Sequence, residues 1–295
     1  MRAIAMTKPG DIEVLQTISL ARPIPKAKQV LLQNLAIAIE PYDCHVRSGK
    51  IKVNNPLPLV LGSSLAGRIY AVGEKVTDLK VGQRVAASPH FRSYAEYTAV
   101  GRSQIALIPD NVTDIQAAAV ALSGQTAWQL AEEILGSSLS VGALLINGAS
   151  GNVGQILIQL LADHFSKIYV TTGSTSAAKL KRQFPQVEIV NSTTRLSPIV
   201  AIIDLVGNQA VSNYLKYLTS NGLLWSTVKQ YSDRRCNLFS MKSNGQSLGK
   251  LLTAVAQNQI KVQIARVAPF SLENLQYFQT LQHQFGKLIL NFRTS

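Results

Sequence analysis

Three glycines at three-residue spacing, Gly148, Gly151 and Gly154, lie between a short apolar run, Ala143 to Ile146, and an apolar-periodic stretch that continues to Leu161. The order predicted is strand, tight turn, helix. Glycine in such a turn permits the sharp bend, lets backbone N–H groups reach a pyrophosphate and lets the helix pack close to the strand. The phosphates then rest on free amides at a helix N-terminus, where the macrodipole favours negative charge. Gly148, Ala149, Ser150, Gly151, Asn152, Val153 and Gly154 are the residues that would form this cradle. The spacing is GxxGxxG rather than GxGxxG, so an ordinary Gly/Ser/Asn loop between core elements is the alternative.

A second group is suited to proton transfer. Glu40, Tyr42, Asp43, Cys44, His45 and Arg47 fall within one short stretch. His45 titrates near working pH and can serve as a proton donor, with the Tyr42 hydroxyl as its partner. The competing reading of His45 is a partly buried residue bonded to a backbone carbonyl. Asp43 and Arg47 are read as a pair that shapes the loop, and Cys44 as an ordinary buried thiol, since nothing in the sequence lowers its pKa.

What the glycine turn binds is decided at the end of the next strand, where a carboxylate would bond the ribose 2′-hydroxyl of NAD. Here the segment reads Tyr169 to Ser174 through Gly173, and the next acid is Glu188. Hydroxyls and cations follow instead: Ser174, Thr175, Ser176, Lys179 and Arg182 can donate to a 2′-phosphate. NADPH is therefore expected over NADH. The alternative makes Lys179 and Arg182 a solvated helix face and Ser174 or Ser176 an N-cap. The nicotinamide end is expected over the C-terminal edge of the sheet, near Leu205, Val206, Gly207, Ser226 and Thr227, with Thr126 supplied by the preceding helix.

The elements that must position these groups fall into two textures. From Met1 to about Val100, short strands (Arg2 to Met6, Val30 to Ile39, Arg68 to Val72, Ser93 to Val100) are punctuated by Pro and Gly, which predicts a mostly antiparallel β domain. From about Ala117, strands alternate with helices, which predicts a parallel sheet with crossovers. A helix is expected over Ala117 to Leu135 and another from the glycine turn to about Phe165. Then come a strand at Ile168 to Thr172, a helix at Ser176 to Phe184, and strands at Val187 to Val190, Ile199 to Val206 and Leu223 to Val228. A helix at Ser247 to Gln257, a strand near Ile260 to Ala268, a helix capped by Ser271 and a strand from Gly286 complete the chain.

The chain has 295 residues, enough for two domains and a substantial core, with 46% hydrophobic residues and a net charge of +13. The excess is spread thinly, as +5, +4 and +4 over residues 1–117, 118–246 and 247–295. There is no basic block, so nucleic-acid binding is disfavoured against a solvated basic surface. No apolar run approaches membrane-spanning length, and the N-terminus lacks the apolar core of a signal peptide. Two cysteines, Cys44 and Cys236, fit a reducing cytoplasm.

Nine blocks in order resemble the zinc-independent quinone oxidoreductase (zeta-crystallin-like) branch of the medium-chain dehydrogenase/reductase superfamily. They are PGDIEVL from Pro9, EPYDCHVRSG from Glu40, LVLGSSLAGRIYAVG from Leu59, VGQRV from Val81, SYAEYTAV from Ser93, SGQTAWQL from Ser123, NGASGNVG from Asn147, IIDLVG from Ile202 and GKLIL from Gly286. The resemblance implies an α/β fold with a Rossmann parallel-sheet cofactor domain over 117–246. It implies a mostly antiparallel GroES-like β-barrel catalytic domain over 1–116 and 247–295, and a homodimer through the cofactor domain's sheet edge.

In zinc-dependent cousins a Cys and a His-Glu pair hold the metal. Glu40 and Ser63-Ser64 stand at those positions here, so no metal is expected. Hydride must then go to an acceptor carbon that is already electron-poor, such as a quinone or an α,β-unsaturated carbonyl. The protein's part is to hold that small-molecule acceptor and to stabilise or protonate the developing oxyanion. Glu40, Tyr42 and His45 are the catalytic candidates, and Arg47, Ser63 and Ser64 are expected to line the pocket. The branch usually carries Asn at Glu40, Tyr at His45 and a further Tyr at Ser192. Those departures keep a non-catalytic NADPH-binding module as the alternative to an NADPH-dependent reductase, with a nucleic-acid-binding relative third.

Overall fold

The computed structural model describes residues 1–139, 141–281 and 284–292. The chain divides into two compact units, Met1–Gln125 with the segment from Ser243 onward, and Thr126–Lys242.

The first unit opens with β1 (Arg2–Met6), β2 (Leu15–Ser19), β3 (Gln29–Ala38), α1 (Pro41–Arg47) and β4 (Leu59–Val60). It continues with β5 (Leu65–Val72), β6 (Arg84–Ala87), β7 (Tyr97–Gly101), β8 (Ile105–Leu107) and α2 (Asp114–Val120). α3 (Ser123–Leu135) leads into the second unit, which holds β9 (Ala143–Asn147), α4 (Asn152–Leu161), β10 (Lys167–Thr171), α5 (Ser174–Gln183) and β11 (Glu188–Ile189). β12 (Ile199–Asp204), α6 (Ala210–Tyr214), β13 (Leu218–Ser226) and β14 (Cys236–Leu238) complete it. α7 (Gly245–Ala256), β15 (Ile264–Pro269), α8 (Leu272–Thr280) and β16 (Lys287–Asn291) then return to the first unit.

In the first unit β2-β1-β4 form a three-stranded antiparallel sheet. A second sheet runs β15-β16-β3-β5-β6-β8, with β7 also paired to β3; every pair in it is antiparallel except β15 with β16. The core between them is built from alternating strand positions such as Ile4, Leu32, Leu65 and Ile69 together with Phe91 and Tyr94, all fully buried. The β7 ladder starts at Tyr97, not at Ser93 as expected, because Asn34 Nδ2 takes the carbonyls of Ser93 and Ala95 at 3.1 and 2.7 Å.

The second unit is a doubly wound sheet of order β11-β10-β9-β12-β13-β14 with every pair parallel. β9 and β12 are buried at every position, as central strands covered on both faces must be. β12 stops at Asp204 rather than Val206, since the Val206 N–H turns back to the Asp204 carboxylate at 3.1 Å. β13 stops at Ser226 because the N–H groups of Val228 and Lys229 go to Ser226 Oγ.

The single helix expected over Ala117 to Leu135 is two helices. Ser123 Oγ donates to the Ala119 carbonyl at 3.1 Å and the Gln125 amide donates to the Ala121 carbonyl, side-chain bonds that replace the helical ladder at the break. α2 carries its own capping box of Thr113 and Gln116. Ser64 Oγ donates to the Ala118 carbonyl, which ties α2 to the residue that precedes β5 within the first unit. Ser271 caps α8 as expected, accepting from the Asn274 N–H at 3.1 Å.

Candidate active site

The three glycines of the turn have three different jobs. Gly148 has φ +91°, and a Cβ there would also meet Val206 Cγ2 at 2.5 Å. Gly154 would put a Cβ 2.6 Å from Ala149 Cα and 2.8 Å from two carbonyl oxygens, so helix and turn touch because it has no side chain. Gly151 differs: a Cβ there would meet only the Gly148 carbonyl, at an ordinary 3.5 Å. Its open side is the approach to the α4 N-terminus.

Gly151 is the N-cap of α4, and no side chain caps the helix. Gln155 N–H donates to the Gly151 carbonyl, so the amides of the first turn lie ahead of the helical ladder. The loop is held from below: the N–H groups of Gly148 and Ala149 donate to the Thr171 carbonyl, and Gln155 Nε2 donates to the Ser150 carbonyl at 2.7 Å. A preorganised, uncapped, glycine-walled helix start fits a pyrophosphate.

The second such start belongs to α5. Its N-cap is Gly173, with nothing within 4 Å of a Cβ placed there, so neither Ser174 nor Ser176 is the cap. Ser174, Thr175 and Lys179 are exposed, Ser176 is buried, and Lys179 has no ion pair among the described residues. No carboxylate ends β10. These residues fit a phosphorylated ribose. Val206 is 49% exposed on the turn after β12, and Thr227 is half-buried with its N–H on the Asp204 carbonyl at 3.0 Å. Thr126 is half-buried within α3.

In the first unit the proton-transfer block forms α1, a short helix begun by Pro41 at its first position. Its inner face carries Asp43, Val46 and Arg47, all buried. Its other side presents exposed His45 and half-buried Tyr42, three residues apart and so neighbours on the helix surface. No hydrogen bond joins the two. The Tyr42 ring stacks on Phe91 with centroids 5.7 Å apart and planes 6° from parallel, and His90 flanks it at 6.2 Å. Burial, and then the Asp43 charge, raise the Tyr42 hydroxyl's pKa, while burial and Lys50 lower that of His45.

Beneath α1 lies a buried polar cluster whose partners the sequence reading did not supply. Glu40 accepts a 2.5 Å ion pair from Lys287 Nζ of β16, and both residues are buried. Its second oxygen, Oε1, has no partner. Burial raises the Glu40 pKa against the pull of Lys287. Asp43 accepts from the Ser63 N–H at 3.1 Å, from Ser63 Oγ at 2.7 Å and from the Tyr94 hydroxyl at 3.4 Å. Burial nevertheless pushes its carboxyl up to about 7. Cys44, beside it, is pushed up to about 12 by burial and the Asp43 charge.

Arg47 does not pair with Asp43 as expected. Its guanidinium donates to Gln279 Oε1 at 2.7 Å and to the Gly10 carbonyl at 2.6 Å. Arg47, Ser63 and Ser64, expected to line a pocket, are buried and committed to internal hydrogen bonds. Among the described residues no three His, Cys, Asp or Glu side chains are grouped to hold a metal.

The segment that supports Tyr42 is strained. Phe91 and Arg92 have φ of +69° and +76°, a region non-glycine residues avoid at a cost of about 1–3 kcal/mol each. The N–H groups of Arg92, Ser93 and Tyr94, each 3.0 Å from the carbonyls of Val60, Gly62 and Leu61, hold it there. No residue type in HFRS announces this.

A parallel dinucleotide-type sheet joined to a mostly antiparallel β unit is the architecture of a two-domain dehydrogenase or reductase. Residues 26–131 match the family described as Alcohol dehydrogenase GroES-like domain. The chain is 32% identical to a 2-methylene-furan-3-one reductase of Solanum lycopersicum, over 93% of this chain and 74% of that protein. It is 29% identical to an Arabidopsis thaliana protein named NADPH-dependent alkenal/one oxidoreductase, chloroplastic, over 98% and 79% of the two chains. The quinone oxidoreductase from Coxiella burnetii superposes with a TM-score of 0.89 at 25% identity, covering 99% of each chain. The chain belongs to the zinc-independent quinone oxidoreductase branch of the medium-chain dehydrogenase/reductase superfamily.

Proposed function

We infer that this chain is an NADPH-dependent reductase that delivers hydride to a quinone or another α,β-unsaturated carbonyl without a metal. The observation that carries the reading is the pair of uncapped, glycine-walled helix starts, at Gly151 and Gly173, with a free Lys179 beside the second. The relatives' names, an alkenal/one oxidoreductase and a furanone reductase, agree with an activated alkene as acceptor. When bound, NADPH supplies the hydride.

The amides of Ser150 to Val153 hold the pyrophosphate, and Ser174 and Lys179 hold the 2′-phosphate. Val206, Thr227 and Thr126 contribute at the nicotinamide end. On α1, Tyr42 and His45 face outward and donate the hydrogen bond or proton that the acceptor oxygen needs as it gains electrons. Glu40, fully buried, holds Lys287 in the interior and does not face outward with Tyr42 and His45. Two free thiols support a cytoplasmic setting. A dimer through the β14 edge is supported by Leu238, 54% exposed on that strand.

The test is loss of the near-ultraviolet absorbance of NADPH against a panel of simple quinones and enones. Consumption with at least one class is expected. Tight NADPH binding without consumption by any of them would establish the second reading, a non-catalytic module, which the lowered His45 pKa and the engaged Glu40 favour.

A further inference from the structure

Four strands of the second unit end side by side. Asn147 is level with Thr171 and with Asp204, and Asp204 is level with Ser226. Asp204 is fully buried and gathers five donors. One oxygen accepts from Asn147 Nδ2 at 2.8 Å and from the N–H groups of Val206 and Gly207 at 3.1 and 3.0 Å. The other accepts from the Tyr231 hydroxyl at 2.6 Å and from Ser226 Oγ at 3.4 Å.

Every donor belongs to a segment of the coenzyme cradle or borders it. Asn147 enters the glycine turn and accepts from Thr171 Oγ1, which itself accepts from the Gly148 N–H at 3.2 Å. Val206 and Gly207 form the turn after β12. Ser226 anchors Val228 and Lys229, and Tyr231 lies just beyond, with Lys229 Nζ 4.7 Å from its ring. A single carboxylate thus sets three loops against one another.

An asparagine would keep most of the tie: its carbonyl would take the three N–H donors and its amide would donate to the Tyr231 hydroxyl, while Ser226 Oγ, already accepting from the Val228 and Lys229 N–H groups, would lose its partner. Burying a full negative charge costs far more than burying an amide, and no lysine or arginine pairs with Asp204 among the described residues. Besides anchoring the loops, Asp204 therefore places an uncompensated charge at the C-terminal ends of the strands, and the field of that charge extends beyond its hydrogen-bonded donors.

We propose that Asp204 is a positioning residue whose negative charge favours the oxidised coenzyme over the reduced one, so that bound NADPH is a stronger hydride donor. When the C4–H bond breaks and its electron pair forms the new C–H bond on the acceptor, the nicotinamide ring is left with one positive charge. A fixed anion at the strand ends stabilises that cation and leaves the neutral dihydro ring unaffected. The proposal rests on the coenzyme reading given under Proposed function.

Wild type, Asp204→Asn and Tyr231→Phe are titrated with NADPH and with NADP+ by calorimetry, and their melting temperatures are compared. Asp204→Asn is expected to weaken NADP+ by about three- to tenfold and NADPH by less than about twofold. Tyr231→Phe removes a hydrogen bond that screens part of the carboxylate's charge, and shifts the ratio the opposite way, tightening NADP+ relative to NADPH by about twofold. An unmoved ratio in a folded Asp204→Asn makes Asp204 a structural tie only. If that variant does not fold, Tyr231→Phe decides alone, and an unmoved ratio there overturns the proposal. A wild type that binds neither nucleotide overturns the coenzyme reading and this proposal with it.

Discussion

At Asp43 the cost of burial exceeds the help of the hydrogen bonds that favour the anion, and the carboxyl settles at about 7. An unfolded Asp releases its proton near pH 4, so the folded chain holds a proton that the unfolded chain has lost between those values. Stability therefore declines as pH rises from about 4 to about 7, by up to about 4 kcal/mol, and levels off above. Glu40, also raised, acts in the same direction. Asp43→Asn retains partners for Ser63 and removes the titration; thermal melts from pH 5 to pH 7.5 are expected to show a flatter dependence than wild type. An identical slope would place the titrating group elsewhere. His45 is exposed on the same helix and makes no side-chain hydrogen bond. His45→Phe is expected to lower turnover by about 10²-fold with NADPH affinity unchanged, the signature of a proton donor to the acceptor. A fall in NADPH affinity instead would move His45 out of that role.

The strand, turn and helix around Gly148, Gly151 and Gly154 separate folding from binding within one loop. Gly154→Val forces a side chain into the Ala149 backbone and is expected to cost about 1–3 kcal/mol or more, read as a drop in melting temperature of several degrees. Gly151→Val meets only an ordinary contact, so the fold is kept while NADPH binding is lost. Equal NADPH affinity in a folded Gly151→Val would reject the phosphate cradle. This loop is legible in the sequence because its geometry is set by neighbours in the chain. The same holds for the Ser271 cap and the alternation of strands and helices. The cluster under α1 is not, since Glu40 meets a lysine 247 positions away. Both GKLIL and IIDLVG stood out as blocks, yet neither Lys287 nor Asp204 could be assigned a task until strand order showed what lay beside it. The break between α2 and α3 leaves no mark in the sequence for a smaller reason: Ser123 and Gln125 are ordinary helix residues until their side chains turn back on the backbone.

For the molecule as a whole, the net charge of +13 is shared among residues 1–117, 118–246 and 247–295 rather than gathered on one element. Several of the cations are also occupied, Arg84 by Asp114, Arg235 by Asp233 and Lys287 by Glu40. Labelled RNA is therefore expected to show no mobility shift at physiological ionic strength; a shift that weakens steeply with added salt would call for a nucleic-acid role. The first unit takes its strands from both ends of the described chain, and β16 pairs with β3 through Ile289 and Ala38. On the ribosome, the early strands must therefore wait through the synthesis of the intervening segment. Until Lys287 emerges, the nascent chain carries a stretch of β3 at Ala36, Ile37 and Ala38 without its β16 partner and a carboxylate without its cation, whereas the uninterrupted middle segment can complete itself first.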